Sequence, residues 1–301
     1  MINLLVLIFF IFLCFLLNST WRHTLPYDFM SFTHSYIYRG IAALIIMLQH
    51  VAGSFKIRYL TPLGGIGVAM FLISSGYGLN ESFIKKSGEK YWKNKLLKIF
   101  IPYAILETIL IPCYGKFSIS SYLLDITCIS PHYWYLQYQL LCYIVFYLLI
   151  KIPKAYNYRY IVLAFFSVGT FLFGTSLQAE QAISFIIGVW ISDNKIKAKE
   201  KSNNFMFCGT MVVIGIVFLI IKQLPMLRTF EGGFIWYSIQ LMMKISLAVF
   251  LICISYKGYK IFSNKFMVFM GGISFEFYLI HMKFLWLLNS KINAEVAMII
   301  F

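Results

Sequence analysis

The sequence has few charged residues for its length. Aspartate, glutamate, lysine and arginine together make up 12% of the 301 residues, and no stretch reads as a soluble domain or a low-complexity linker. Hydrophobic residues account for 60% of the chain, and the mean hydropathy is +0.79. Because a water-soluble domain of this size does not need so much apolar surface, the composition indicates an integral membrane protein.

Acidic residues are the scarcest charged class. The chain has 11 aspartates and glutamates against 26 lysines and arginines, which gives a formal net charge of +15. In a membrane protein such a surplus is explained by basic cytoplasmic loops, so we expect no nucleic acid partner.

Cysteine is present without a pairing pattern. The six residues have no short, regular spacing and mostly lie within apolar runs, so we predict that they pack in the core and form neither a disulfide framework nor a metal site. They are Cys14, Cys113, Cys128, Cys142, Cys208 and Cys253.

Apolar runs of about 17–22 residues recur from end to end, which is typical of membrane-spanning helices. They are continuous rather than alternating, so a β-barrel is disfavoured. We predict an all-α, polytopic integral membrane protein with about ten transmembrane helices. The expected spans are 4–17, 36–54, 62–79, 98–114, 133–151, 159–176, 180–192, 205–222, 234–255 and 266–289.

The two chain ends carry further expectations. The first apolar run lacks the basic start of a signal peptide, so residues 1–35 are expected to form an extra, retained transmembrane helix and a linker. Residues 36–301 are expected to form the main transmembrane domain. The chain stops at Phe301 within an apolar run, and we expect the last span to be truncated.

Lysine and arginine are concentrated in alternate loops. The densest cluster follows Leu79, and basic and less basic loops then alternate with the spans. The positive-inside rule therefore predicts that the basic loops are cytoplasmic and that the span 36–54 runs from the inside to the outside.

Two ionisable residues, Arg39 and His50, lie in that span. Their separation of 11 positions returns to within about 20° of one helical face, with roughly 16 Å between them along the axis. A histidine can take a proton from a hydroxyl group during acyl transfer, and an arginine can hold a phosphate or a carboxylate. The alternative is that Arg39 anchors the helix at the lipid headgroups and His50 is a satisfied histidine of the bundle.

Three other patterns are informative. The glycines between Gly64 and Gly78 lack the Gly-Lys-Ser/Thr ending of a phosphate loop and predict close helix packing. Lys95 and Lys98 share a helical face and suit either a polyphosphate-bearing donor or anionic lipid. Trp134 lies among aromatic residues that are typical of the membrane interface and also of saccharide-binding surfaces.

A late segment contains a second polar stripe. Ser274, Tyr278 and His281 are spaced at i, i+4 and i+7 in an apolar helix. Seven positions separate the serine from the histidine by about two turns, so we reject a direct Ser274–His281 dyad. We expect instead a second polar patch that faces the first.

Together these segments resemble the acyltransferase-3 family of bacterial membrane acyltransferases. The Arg39–His50 spacing resembles its Arg-X10-His signature, and Lys95 and Lys98 resemble its Arg-X-X-Arg element. Two longer stretches are similar to its glycine-containing and late motifs: Phe71-Leu72-Ile73-Ser74-Ser75-Gly76-Tyr77-Gly78-Leu79 and Ile273-Ser274-Phe275-Glu276-Phe277-Tyr278-Leu279-Ile280-His281.

The resemblance implies transfer of an acyl group, commonly acetyl, in the cytoplasmic membrane of a bacterium. The donor would be cytoplasmic acyl-CoA, a substrate rather than a permanently bound cofactor, and the acceptor a surface polysaccharide or a lipid-linked glycan. It implies that His50 is the catalytic base, that Arg39 is essential beside it, and that Lys95 and Lys98 serve the CoA side. The residues expected along the substrate path are Ser274, Tyr278, His281 and Trp134.

Three positions depart from the family pattern. Lys95 and Lys98 keep the charge of the arginines but lose their bidentate fork, and Ala69 stands where many members have an acidic residue. Two other functions fit the same polar stripes. One is a transporter or flippase for a glycan or small metabolite, although we see no symmetric halves, and the other is a non-catalytic membrane subunit. The sequence does not fix the oligomeric state.

Overall fold

The structure is a computed structural model that describes residues 26–110, 118–127, 133–152 and 154–291. These residues form α-helices joined by short turns, with no β-strand among them, which confirms the all-α prediction for this part of the chain. In chain order the helices are α1 (Phe32–Ser54), α2 (Thr61–Lys86), α3 (Tyr91–Lys95), α4 (Ile101–Leu110), α5 (Ile119–Ile126), α6 (Trp134–Lys151), α7 (Arg159–Phe173), α8 (Ser176–Ala179), α9 (Ser184–Asp193), α10 (Lys195–Asn203), α11 (Phe205–Ile221), α12 (Pro225–Arg228), α13 (Phe234–Lys257), α14 (Tyr259–Phe262), α15 (Lys265–Gly272) and α16 (Ser274–Lys291).

Within the described residues, three helical stretches are long and apolar enough to cross a membrane. They are Phe32–Ser54, Arg58–Lys86 and Phe234–Lys257, and a fourth is obtained if α10 and α11, which are bent by 81°, are counted as one span. The expected span 4–17 lies outside the described residues. The count of ten therefore stays a prediction.

The expected span 266–289 is not one helix. A turn at Ile273 divides it into α15 and α16. Two glycines precede the turn, and at Gly271 the backbone lies so close to Tyr36 that a Cβ atom would overlap the Tyr36 carbonyl oxygen. Hydropathy alone does not reveal this contact, because glycine is compatible with an apolar run.

The chain forms two compact units. The first unit comprises Met1–Met70 and Phe250–Phe301, and the second unit comprises Phe71–Val249. In the first unit, glycines bring backbones together on both sides of α1. A Cβ at Gly40 would lie 2.6 Å from the Met267 carbonyl oxygen on α15, and one at Gly67 would lie 2.8 Å from the Ala42 oxygen. Close packing through small residues is thus confirmed, and it fixes the helix that carries Arg39 and His50.

The second unit contains an equally tight crossing of α2 and α9. Cβ atoms at Gly76 and Gly188 would each overlap a backbone carbonyl of the opposite helix. At the ends of these helices Asp193 accepts hydrogen bonds from Arg159, Tyr160 and Asn80. This polar network joins α2, α7 and α9, and the Arg159 guanidinium compensates the charge of the Asp193 carboxylate.

Candidate active site

Arg39 is bound to the late motif. Its Nη2 group donates a 2.8 Å hydrogen bond to Ser274 Oγ, and Ser274 in turn donates to the Gly271 carbonyl oxygen at 2.8 Å. The guanidinium carbon also lies 5.8 Å from the centre of the Tyr36 ring. The first and last motifs are therefore joined at this end of α1 by a defined hydrogen-bond chain, as expected for two polar patches that face each other.

His50 contacts the other end of the same stripe. Its imidazole ring lies 4.9 Å from that of His281, centroid to centroid, at an interplanar angle of 50°. The His50 ring has no hydrogen-bond partner among the described residues, so both its nitrogens are free to engage a substrate there. Arg39 and His50 are thus each paired with a residue of α16 rather than with each other.

The hydrogen bonds of His281 define its tautomer. Nδ1 lies 2.7 Å from the Tyr278 carbonyl oxygen and 3.3 Å from that of Phe277. Because carbonyl oxygens only accept, Nδ1 carries the proton and Nε2 carries the lone pair. Nε2 is buried, in a residue that is 2% exposed, and has no partner in the described structure. Ser274 bonds to Arg39 and Gly271 instead of His281, which confirms that the two form no direct dyad.

This arrangement suits proton transfer. Two neutral imidazoles in contact offer acceptor nitrogens, and two imidazolium rings at this distance would repel each other, so we expect at most one of the two rings to be an imidazolium at a time. A single proton that is taken up and returned is what a general base needs during acyl transfer.

Of the remaining sequence-predicted residues, Lys95, Lys98 and Trp134 belong to the second unit. Lys95 Nζ lies 4.3 Å from the centre of the Tyr143 ring and 5.8 Å from that of Tyr91. Burial, together with the neighbouring charge of Lys98, lowers the pKa of Lys95 to about 8. Lys98 itself is exposed and lies in a π-helical turn, Leu96–Phe100. The two lysines are therefore neighbours in unequal environments.

Trp134 begins α6 and is half-buried, with its ring 6.3 Å from the ring of Tyr135. It belongs to the second unit, whereas Ser274, Tyr278 and His281 belong to the first. Its expected part in a substrate path stays a prediction.

Sequence reasoning missed a second histidine of α1. His34 is fully buried, accepts a 2.9 Å hydrogen bond from the Met30 amide at Nδ1 and contacts Ser255 Oγ at 3.0 Å through Nε2. Its ring stacks on Tyr27 at 5.4 Å. Both nitrogens are satisfied, so this histidine has the structural role that was one alternative for His50. The many aromatic residues around position 34 are the sequence feature that could have indicated this buried histidine.

Two buried polar groups of the second unit were also missed. Lys244, within the apolar span of α13, forms an ion pair with Glu180. Gln139 on α6 is 6% exposed, and its Oε1 atom has no partner in the described part of the chain. The position of Lys244 within an apolar run can be seen in the sequence. The lack of a hydrogen-bond donor for the Gln139 oxygen depends on tertiary packing and cannot be seen there.

The described residues contain no group of three or more histidine, cysteine or acidic side chains that could hold a metal ion. Three of the six cysteines fall in this part of the chain, Cys142, Cys208 and Cys253, and all three are buried and form no disulfide there. For these three, the prediction that they pack in the core is confirmed.

Comparison with known proteins agrees with the motifs. The family model described as an acyltransferase domain matches residues 35–301, which is most of the chain and includes both ends of the Arg39–His50 stripe and all of α16. Neither a curated protein nor a solved structure matches the sequence. With this family match and its apolar helices, the chain is a multi-pass membrane protein that belongs to the acyltransferase-3 family.

Proposed function

We propose that this protein transfers an acyl group, acetyl being the simplest, from cytoplasmic acyl-CoA to a hydroxyl group of an extracytoplasmic or lipid-linked glycan. The observation that carries the proposal is the contact between His50 and His281, in which the His281 imidazole is held as a neutral acceptor beside His50. A membrane-spanning enzyme suits this reaction because donor and acceptor are on opposite sides of the bilayer.

In the proposed reaction, His50 removes the proton of the acceptor hydroxyl as its oxygen attacks the carbonyl carbon of the thioester. The carbon–sulfur bond then breaks, and the CoA thiolate takes the proton back from the imidazolium. His281, fixed by its Nδ1–H bonds, stabilises the His50 imidazolium or shares its proton.

The other motif residues have binding roles in this proposal. Arg39, oriented by Ser274, holds a negatively charged group of the donor. Lys95 and Lys98 serve the CoA side of the reaction at the cytoplasmic face, as the loop charges suggest. Tyr278 and Trp134 supply aromatic surface along the path of the sugar.

Replacement of His50 tests the proposal. Membranes that contain the wild type should transfer label from labelled acetyl-CoA to glycan, and His50→Ala should reduce the rate by about 10²–10⁴-fold. NMR of purified polysaccharide should show the matching loss of acetyl groups. Gly53→Ala is the matched control, since it lies on the same helix and its added Cβ has nothing within 4 Å.

Full acetylation in the His50→Ala membranes would exclude His50 as the base. A wild type that moves glycan across the membrane but transfers no label would instead indicate a transporter.

A further inference from the structure

A basic loop between α2 and α3 borders an open cavity that none of the motifs accounts for. Its volume is about 550 Å³, which falls in the range of small-molecule sites. The lining residues are Lys85, Lys86, Ser87, Glu89, Lys90 and Asn94. All of them belong to the second unit.

The cavity carries uncompensated positive charge. Lys85 lies 3.5 Å from Glu81, but that carboxylate also accepts a 2.7 Å bond from Lys195. Lys86 and Lys90 have no carboxylate partner in the part of the chain that the structure describes. Lysines that converge on one cavity without acidic partners form an attractive site for phosphate groups.

The loop has a defined shape. Ser87, Gly88 and Lys90 have φ values of 49°, 75° and 54°, which places three of four consecutive residues in the left-handed region. Hydrogen bonds from the Ser87 amide to Phe83 and from the Glu89 amide to Lys86 close the turn at 2.7 and 2.9 Å. Non-glycine residues adopt this conformation only when the surrounding structure holds them there, and such positions are common at ligand sites.

A polar face of α2 leads from this cavity into the bundle. Ser75, Gly78, Ser82 and Lys85 are spaced at i, i+3, i+7 and i+10, so they share one side of the helix. Gly78 and Ser82 are exposed, and a Cβ at Gly78 would meet nothing within 4 Å. An exposed serine such as Ser82 fits a groove better than a surface in contact with lipid tails.

The inner end of this face meets the buried amide of Gln139. Its Nε2 group donates to Ser75 Oγ at 2.9 Å and to the Tyr143 hydroxyl at 2.5 Å, while Oε1 lacks a partner in the described structure. The Lys95 ammonium lies over the Tyr143 ring. A buried amide oxygen without a donor is costly unless a ligand supplies one.

We infer that this cavity binds the nucleotide phosphates of the acyl-CoA donor, and that the pantetheine arm follows the Ser82–Gly78–Ser75 face to Gln139. The Gln139 oxygen then accepts a hydrogen bond from a pantetheine amide N–H. From residue 86 to residue 75 the helix rises roughly 16 Å, which is comparable to an extended pantetheine arm. The inference rests on the proposed function for its choice of ligand.

Glu89 favours a nucleotide over a plain phosphate group. A carboxylate repels a bare anion, whereas it accepts hydrogen bonds from ribose hydroxyls or an adenine amino group. Anionic lipid headgroups share the phosphate chemistry but place their acyl chains outside a loop cavity, so they form the contrasting arm of the test.

Equilibrium binding to the full chain in nanodiscs of neutral lipid tests the inference without any catalytic step. The probes are CoA, dephospho-CoA and adenosine 3′,5′-bisphosphate. The double variant Lys86→Gln/Lys90→Gln should weaken CoA binding by about tenfold or more and reduce the advantage of CoA over dephospho-CoA. Lys197→Gln/Lys260→Gln, which removes two exposed lysines from α10 and α14, is the charge-matched control and should leave CoA binding unchanged.

Gln139→Leu separates the two parts of the site. It should weaken the binding of CoA while leaving that of adenosine 3′,5′-bisphosphate unchanged, because the bisphosphate has no pantetheine arm. Gln240→Leu is its control, since Gln240 is another buried glutamine whose Oε1 lacks a partner in the described residues.

The inference is overturned if the lysine double variant binds CoA as tightly as the wild type, or if it loses only its affinity for nanodiscs that contain anionic lipid. Failure of the proposed function gives a different pattern: the wild type binds CoA but transfers no acetyl group. Wild-type protein that binds none of the three probes contradicts the nucleotide site as well.

Discussion

The histidine pair of the first unit and the basic loop between α2 and α3 differ in the kind of polar group that they leave without a partner. At the histidine pair, fixed hydrogen bonds hold His281 and Ser274, and the lone pair on His281 Nε2 and the ring nitrogens of His50 are left without hydrogen-bond partners among the described residues. In the loop, two ammonium groups remain without acidic partners in the described residues and face an open cavity. Neutral acceptors held in place suit proton transfer, whereas surplus charge in a cavity suits capture of an anion.

The sharpest test of the histidine pair, His50 and His281, is His281→Phe. This change keeps an aromatic ring but removes the Nδ1–H donor and the Nε2 lone pair. We expect the acyl-transfer rate to fall by about 10²-fold, because the His50 imidazolium loses its partner. Transfer of labelled acetyl to glycan measures the effect.

Phe277→Leu is the control for this prediction, because the Phe277 ring also stacks on His281 but takes no part in proton transfer. A wild-type rate in His281→Phe would show that the ring contact is only packing, and the two regions would then differ less than we argue.

The glycine crossings give the next largest effect. Gly271→Ala forces a Cβ atom into the Tyr36 carbonyl and should destabilise the protein by about 1–3 kcal/mol, with loss of the α1–α15 packing. Gly272→Ala should be nearly neutral, because its added Cβ has nothing within 4 Å. Thermal unfolding of both variants in the same detergent measures the difference, and equal melting temperatures would contradict the close approach.

The Arg39–Ser274 bond predicts a coupling between the two motifs. Arg39→Lys and Ser274→Ala should each slow transfer by about tenfold, and the double variant should be little worse than either single one, since both break the same bond. Rates for the four proteins form a double-mutant cycle. Additive losses would show that the two residues act independently.

The smallest expected effect is a pH dependence of donor binding. Burial and Lys98 lower the pKa of Lys95 to about 8, so its ammonium is present below that pH and is lost as the pH rises through it. The Michaelis constant for acetyl-CoA should therefore rise by about fivefold between pH 7 and pH 9. Lys95→Arg, which stays charged, should flatten the profile, and a steep profile in that variant would exclude Lys95 as its source.

Part of the site could be predicted from helical spacing alone. Eleven positions between Arg39 and His50, and seven between Ser274 and His281, place each pair on one helical face whatever the tertiary fold. The pairing of Arg39 with Ser274 and of His50 with His281 depends on how α1 packs on α15 and α16, and local pattern does not specify this. The close approach of Gly271 to Tyr36 was missed for the same reason, since the two residues are more than 200 positions apart along the chain.

The basic loop between α2 and α3 has a shape that could not be predicted from the sequence either. Its charge was evident in the sequence, but the left-handed residues that shape it, Ser87 and Lys90 among them, are not the types that usually adopt this conformation. Nothing in the sequence singled out Gln139, because an amide within an apolar helix usually finds a hydrogen-bond partner. Only the folded second unit reveals that its Oε1 atom has no donor among the described residues.

The glycine contacts on both sides of α1 also bear on movement. A helix that slides or rocks during a transport cycle needs an interface of side chains that can exchange neighbours, whereas at Gly40 and Gly271 backbone meets backbone with no side chain between them. A displacement of α1 along its axis would bring the Cβ atoms of adjacent residues against those carbonyl groups. His50 is therefore held at one depth relative to α15, so the substrates must travel to the histidine.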